Sequence, residues 1–207
     1  MAEEVPKSVP TESGIEQSIL RWLRDLPGTH QWTVHGLESG EGAAALDRKY
    51  GRGKGEVVYW DLLREKLIEI NEPVNEGNVD RLLNSLRRDF DEAELMAGNR
   101  HLQTLLRRGK KFNAKHGNGT KKPVYVRLID FDRPSRNSFV AVNQMRFVRG
   151  ASVRPDVTLL VNGLPLVHME IKSLAQDNDW TDATNDLRDY EEAVPRLFFP
   201  TLLNVAA

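Results

Sequence analysis

The stretch that decides the fold of this chain is RPDVTLLVNGLPLVHMEIKS, which runs from Arg154 to Ser173. It contains a hydrophobic run, an Asn-Gly turn signal and a second hydrophobic run, a pattern typical of a β-hairpin. Side chains alternate between the faces of a strand, so the second run should carry His168, Glu170 and Lys172 on one face. An apolar back face with a charged front face is typical of a functional site built on a rigid sheet.

The register of this hairpin decides whether Asp156, at the start of the first strand, shares the face of Glu170. A turn made of Asn-Gly alone would pair Asp156 with Met169, which lies on the other face. We therefore predict a longer turn, spanning Asn162 to Leu164 or Pro165, or a bulge near Asp156.

The set of Asp156, Glu170 and Lys172 suits metal-assisted hydrolysis of phosphodiesters. Two neighbouring carboxylates repel each other unless a divalent cation lies between them, and Mg²⁺ prefers oxygen ligands. Such a cation neutralises charge that develops on a phosphate, and the lysine reaches the same face. Glu-x-Lys by itself is a weak motif, and a surface ion pair on a strand is the alternative interpretation.

The remaining sequence predicts helices before the strands and one helix after them. Residues 1–12 are expected to form a disordered lead-in, and a capping box of Ser13 and Glu16 is expected to open the first helix. Six glycines between Gly36 and Gly55 predict a long flexible loop. Apolar spacing predicts further helices at about Trp60–Ile70, after Asn78, at about Asp91–Arg108 and at about Trp180–Val194.

Five β-rich runs follow Pro123, namely VYVRLIDF, FVAVNQ, MRFV, VTLLV and LVHMEI. Their close spacing indicates mainly antiparallel pairing, at least at first. The expected fold is therefore α/β or α+β, with a central mixed sheet flanked by helices and residues 13–207 forming a single domain.

Composition excludes several classes of protein. The 207 residues contain no Cys, so disulfides, thiolate nucleophiles and Cys-ligated metals are excluded, and a reducing, cytoplasmic location is expected. No apolar run is long enough to span a membrane. The net charge is −1, yet residues 100–129 lack Asp and Glu. This segment is either a phosphate-binding surface or a solvated helix end and loop, and its candidate DNA-binding residues are Arg107, Arg108, Lys110, Lys111, Lys115, Lys121 and Lys122.

The hairpin motif, together with FVAVNQ (Phe139 to Gln144) and DLRDYEEAVPRLF (Asp186 to Phe198), resembles the PD-(D/E)xK nucleases. More closely, the sequence resembles the N-terminal nuclease domain of the restriction (R) subunit of type I restriction–modification enzymes. The helices ESGIEQSILRWL and EKLIEINEPV are also similar to that family, and the resemblance covers about Thr11 to Leu203.

The resemblance implies a role for each matching position. Asp156, Glu170 and the Ile171 carbonyl would hold Mg²⁺, and Lys172 would stabilise the transition state or orient water. Glu16 would be an accessory acid near the metal, with the capping box as an equal alternative. In the family a Gln-x-x-x-Tyr motif assists DNA engagement. Tyr190 matches it, whereas Asp186 replaces the Gln. Gln144 is interpreted as an edge-strand polar residue.

The resemblance also implies an activity and partners. The chain is expected to be a type I site-specific deoxyribonuclease that cuts double-stranded DNA at sites not chosen by this domain. Methyltransferase and specificity subunits would be its partners. ATP would belong to a motor domain absent from this chain, which we expect to be an N-terminal fragment or a stand-alone domain. The alternatives are a docking module, a purely structural domain, and a repair or resolvase nuclease of the same superfamily.

Overall fold

The structure is a computed structural model that describes residues 11–28, 31–37, 42–90, 94–115, 121–173 and 180–207. Within these residues the α-helices are α1 (Glu12–Asp25), α2 (Gly42–Lys49), α3 (Trp60–Ile70), α4 (Val79–Asp89), α5 (Leu95–Arg108) and α6 (Trp180–Ala193). The β-strands are β1 (Trp32–His35), β2 (Lys110–Lys115), β3 (Lys121–Val126), β4 (Phe139–Asn143), β5 (Phe147–Arg149), β6 (Ala151–Val153), β7 (Val157–Val161), β8 (Leu164–Glu170) and β9 (Leu203–Ala206). No helix of the described residues is both long and apolar enough to cross a membrane.

The main sheet has five strands in the order β1-β4-β7-β8-β9. Its three central strands pair antiparallel, whereas β1 and β9 join the two edges in parallel. Consecutive residues Val140, Ala141 and Val142 of β4 are all buried, as expected for a strand covered on both faces. The predicted mixed sheet flanked by helices is confirmed.

Different helices cover the two faces of this sheet. On one face, Leu20 and Leu23 of α1 pack in a cluster with Ala141, Val157 and Ile171. On the other face, Leu187 of α6 and Leu62 of α3 share a cluster with further residues of β4 and β7. The sheet is therefore the middle layer between α1 and a layer that contains α3 and α6.

The helices predicted from apolar spacing are present. Helix α3 has the predicted bounds, and α4 begins directly after Asn78 and buries one leucine-rich face. Helix α5 ends at Gly109, whose φ of 77° lies in the region that favours glycine. Helix α6 ends before Pro195, which opens a short 3-10 helix.

Several predictions between the helices were wrong. The glycine-rich segment 36–55 contains α2, which buries Leu46, so it is not one long loop. Strands β1, β2, β6 and β9 were not predicted, because each is short or highly charged and gains its partners only in the folded chain. The expected lead-in at residues 1–10 lies outside the described residues, and α1 already includes Glu12.

Candidate functional site

One end of the main sheet brings together the polar residues singled out in the sequence. Because β7 runs antiparallel to β4 and β8, the start of β7 lies beside the ends of β4 and β8. Asp156 immediately precedes β7, Glu170 closes β8, and Asn143 closes β4. The first turns of α1 reach this end from one face and α6 reaches it from the other. Side chains from distant parts of the sequence thus meet at one place.

The hairpin reaches the required register by a different device from the one predicted. Its turn is only Asn162-Gly163, both residues having positive φ, so the predicted longer turn was wrong. The register shifts between Leu159 and Leu160, so the bulge lies within the strands and not near Asp156. Val157 pairs with Met169, and the next positions, Asp156 and Glu170, therefore lie opposite each other.

The carboxylates of Asp156 and Glu170 repel each other in a buried setting. Burial raises the pKa of Glu170 to about 8, and the charge of Asp156 adds to the rise. Burial also raises the pKa of Asp156, although the Ile171 N–H donates to its Oδ2 at 2.7 Å and opposes that rise. Glu170 Oε2 is buried and has no hydrogen-bond partner among the described residues. A buried, unpaired carboxylate oxygen is costly, and it suits a cation ligand.

Lys172 completes the predicted set. Its Nζ lies 3.6 Å from Glu170 Oε1 and 2.5 Å from Asp186 Oδ2. Burial alone would lower the pKa of Lys172, but the Asp186 ion pair and the Glu170 charge raise it. The lysine is therefore cationic at neutral pH and has two acidic neighbours, of which Asp186 is the nearer.

Helix α6 supplies two residues to the site, one turn apart. Asp186 pairs with Lys172, and the Tyr190 hydroxyl donates to Glu170 Oε1 at 3.5 Å. Burial raises the pKa of Tyr190 to about 12, with the Glu170 charge contributing. Asp186, which stands where the resemblance implies a Gln, thus contacts Lys172, and Tyr190 contacts the Glu170 carboxylate.

Glu16 belongs to this end of the sheet and does not cap α1. The N-cap is Thr11, whose hydroxyl accepts from the Gly14 N–H at 3.1 Å, so the predicted box of Ser13 and Glu16 was wrong. Glu16 is buried, and its charge raises the pKa of Asp156. Its Oε1 accepts from Asn143 Nδ2 at 2.7 Å.

Sequence reasoning did not identify Asn143, it interpreted Gln144 as an edge-strand polar residue, and it placed His168 on the charged face of its strand. Gln144 is exposed but is not an edge-strand residue, because it follows β4, which lies between β1 and β7, and its amide donates to Glu16 Oε2 at 3.4 Å. His168 is fully buried between the rings of Phe147 and Phe198, and burial lowers its pKa to about 3. Asn143 could have been identified from its position at the end of β4, beside Asp156. That position becomes evident only when the order of the strands is known.

The basic residues lie on a different part of the fold. Arg107 and Arg108 end α5, and the lysines lie on the β2–β3 hairpin, whose strand ends pair Lys115 with Lys121. Lys110 forms an ion pair of 2.5 Å with Asp89. Phe112 of this hairpin packs in the hydrophobic cluster that contains α4 and α5, whereas the carboxylates lie at the end of the five-stranded sheet. The structure does not bring the two sets together.

The residues at the sheet end fit a hard divalent cation. Two carboxylates from adjacent strands face each other, and one of their oxygens is buried without a partner in the described chain. Oxygen-only ligands are those that Mg²⁺ and Ca²⁺ prefer. Within the described residues, no group of three or more His, Asp or Glu side chains is arranged to hold a metal ion.

Comparison with known proteins identifies the family of this chain. Residues 10–206 match the family model described as the type I restriction enzyme R protein N terminus. The type I restriction enzyme HindI endonuclease subunit of Haemophilus influenzae is 33% identical over 191 residues, which are 90% of this chain and 17% of that subunit. A type I restriction enzyme endonuclease subunit of Staphylococcus aureus, SauMSSORF170P, is 35% identical over 69 residues, which are 33% of this chain and 7% of that subunit. The chain belongs to the family of type I restriction enzyme R protein N termini.

Proposed function

We propose that this chain is a nuclease domain that hydrolyses phosphodiester bonds of double-stranded DNA with Mg²⁺. The observation that carries the proposal is the opposed pair of Asp156 and Glu170, with one buried carboxylate oxygen unpaired among the described residues and Lys172 within 3.6 Å. The domain would include residues 13–207, together with Thr11 and Glu12, which open α1.

Each residue would have a separate role in this reaction. Asp156, Glu170 and the Ile171 carbonyl would hold the cation, and Ile171 is suitable because its own N–H already points at Asp156. N–H and C=O of one extended residue point to the same side, so this carbonyl would be directed toward Asp156. When bound, Mg²⁺ supplies an activated water and neutralises charge on the phosphate. Lys172 would stabilise the charge that develops on the phosphate.

The whole enzyme would be larger than this chain, which spans 17% of the HindI subunit. We propose that the domain works with methyltransferase and specificity subunits, which select the DNA, and with an ATP-dependent motor elsewhere in the subunit. The basic residues of α5 and the β2–β3 hairpin would contact phosphates without reading sequence. An enzyme with this substrate and these partners would act in the cytoplasm.

The alternatives have less support. A docking module does not need two carboxylates to face each other with a buried oxygen unpaired in the described chain. A purely structural role would require Lys172 and Glu170 simply to neutralise each other, yet the nearer partner of Lys172 is Asp186. A repair or resolvase nuclease would have the same site but would prefer branched or damaged DNA.

Cleavage of supercoiled plasmid tests the proposal. The full-length subunit, assembled with its partners, is compared with Asp156→Ala and Lys172→Ala in the presence of Mg²⁺ and ATP, and the 207-residue chain is assayed alongside with Mg²⁺. Asp80→Asn on α4 is the control, because Asp80 is exposed and pairs with Arg64 of α3, away from the sheet end. We expect both site variants to lose cleavage and the control to retain it. Cleavage by assembled Asp156→Ala would refute the proposal.

A further inference from the structure

Two amide side chains hold the buried carboxylate of Glu16. Asn143 Nδ2 donates to Oε1 at 2.7 Å, and Gln144 Nε2 donates to Oε2 at 3.4 Å. Consecutive residues of a strand normally point to opposite faces. Gln144 has a φ of 49°, which lets both amides reach the same carboxylate. The backbone N–H of Gln144 also donates to the Asp156 carbonyl at 2.8 Å, so the pair is anchored to β7.

Two glycines enclose the amide of Asn143. A Cβ at Gly36 would lie 1.8 Å from Asn143 Oδ1, and a Cβ at Gly42 would lie 2.1 Å from the same atom. Neither position can carry a side chain while Asn143 keeps its orientation. Gly36 has a φ of 100° and follows β1, whereas Gly42 begins α2 and has no such backbone requirement. Gly42 is therefore explained by close packing, mainly against Asn143 and also against the Gly36 Cα, which would lie 3.2 Å from the same Cβ.

We propose that Asn143, seated between Gly36 and Gly42, is a positioning residue that orients Glu16 beside Asp156 and so sets the affinity of the site for its divalent cation. The inference rests on the proposed function. Asn143 acts through Glu16 and is not itself a ligand, and Gln144 is the second, weaker contributor.

The physical reason is that a buried acid beside other acids must be held in place. The Glu16 charge acts on Asp156, and the Asp156 charge acts on Glu170, so Asp156 is repelled from both sides when no cation is bound. Without its amide donors Glu16 would be an unpaired buried carboxylate, which would turn away from Asp156. Loss of a neighbour that orients a metal site typically costs roughly 10–100-fold in metal affinity.

Calorimetric titration of the 207-residue chain with Mn²⁺ alone tests this inference. The variants are Asn143→Ala, Glu16→Ala, their double variant, Gly42→Ala and Gln144→Gly, whose glycine fits the positive φ. Asn99→Ala is the matched control, because Asn99 is also an amide that joins two elements, donating to the carbonyls of Phe199 and Thr201. Thermal unfolding verifies that each variant folds.

We expect Asn143→Ala and Gly42→Ala to weaken Mn²⁺ binding by about 10-fold or more, and Gln144→Gly to weaken it less. Asn99→Ala should lower stability and leave Mn²⁺ affinity unchanged. Asn143→Ala should have no further effect in the Glu16→Ala background, because it acts through that carboxylate.

Additive effects of Asn143→Ala and Glu16→Ala would overturn the inference, and so would unchanged affinity in folded Asn143→Ala or Gly42→Ala. Other results would contradict the proposed function itself. These are Mn²⁺ binding by Asp156→Ala that is as tight as in wild type, or no Mn²⁺ binding by the wild-type chain. If Asn143→Ala does not fold, Gly42→Ala and Gln144→Gly decide the result.

Discussion

Asp130 and Glu170 are two acids with nearly the same burial, 3% and 4% exposed, but with opposite surroundings. Asp130 accepts from the Arg133 N–H at 3.0 Å and from the Arg136 guanidinium at 3.3 Å. Among the residues that the structure describes, Glu170 has Lys172 at 3.6 Å and Tyr190 at 3.5 Å, both on Oε1. Solvent exposure is thus nearly the same for the two residues, and the number and sign of their partners differ.

The two acids consequently differ in pKa. Burial would raise the pKa of Asp130, but the Arg133 N–H and the charges of Arg133 and Arg136 lower it overall. Burial and the Asp156 charge raise the pKa of Glu170. The negative charge of Asp130 is therefore balanced by groups of the chain itself, whereas the charge of Glu170 has to be balanced mainly by a proton or a cation from solution. This difference separates a structural acid from a site acid.

The largest expected effect comes from Glu170→Gln, which keeps the shape and removes the charge. Mn²⁺ affinity should fall more than about 100-fold, because loss of a ligand costs more than loss of a neighbour that orients one. The free energy of unfolding without metal should stay the same or rise, because an incompletely paired buried charge is removed. Calorimetric titration and urea unfolding measure the two quantities. A variant that kept its affinity and lost stability would place Glu170 with the structural acids.

The pH dependence of stability gives the next largest effect. An acid whose pKa rises on folding, here from 4.5 to about 8, makes the metal-free chain less stable as pH increases through that window. The difference in unfolding free energy between wild type and Glu170→Gln isolates this contribution, because His168 acts in the opposite direction below about pH 6.5. Mg²⁺ should abolish the decline. A difference that does not change between pH 5 and pH 8 would contradict the prediction.

Asp130→Ala should show the reverse behaviour. It removes hydrogen bonds to a carboxylate and should cost about 1–3 kcal/mol of unfolding free energy in urea, with Mn²⁺ affinity unchanged. Asp132→Ala is the matched control, since Asp132 is exposed and pairs with Arg127, and it should change stability by less than about 1 kcal/mol. A loss of metal affinity in Asp130→Ala would show that the two acids are coupled and would end the comparison.

The sequence was sufficient where local pattern and chemistry coincide. Helices α3 and α4 follow from apolar spacing, and the β7–β8 hairpin follows from two hydrophobic runs around Asn-Gly. Asp156 and Glu170 lie opposite each other, as expected if the two carboxylates share one cation. The register argument correctly demanded one extra residue, but that residue is Leu166 of β8, opposite the step from Leu159 to Leu160, and it lies neither in the turn nor near Asp156.

The sequence was insufficient where a residue depends on a distant partner. Asn143 contacts Glu16, 127 positions away, and the glycines around it were interpreted as flexible because their space is filled by that amide only in the folded chain. Strands β1 and β9 join the edges by parallel pairing across long connections, which no local pattern specifies. Both cases concern the sheet end that carries the carboxylates.

The smallest effect concerns whether Glu16 belongs with the structural acids. A capping box would make Ser13 and Glu16 partners in opening α1, whereas in the structure Thr11 accepts from the Gly14 N–H. Thr11→Ala should therefore cost about 1 kcal/mol of unfolding free energy, and Ser13→Ala should change it by less than about 0.5 kcal/mol. Urea unfolding measures both variants under the same conditions. If Ser13→Ala were the costlier change, Glu16 would be used at the helix end, and only Asp156 and Glu170 would remain as acids of the candidate site.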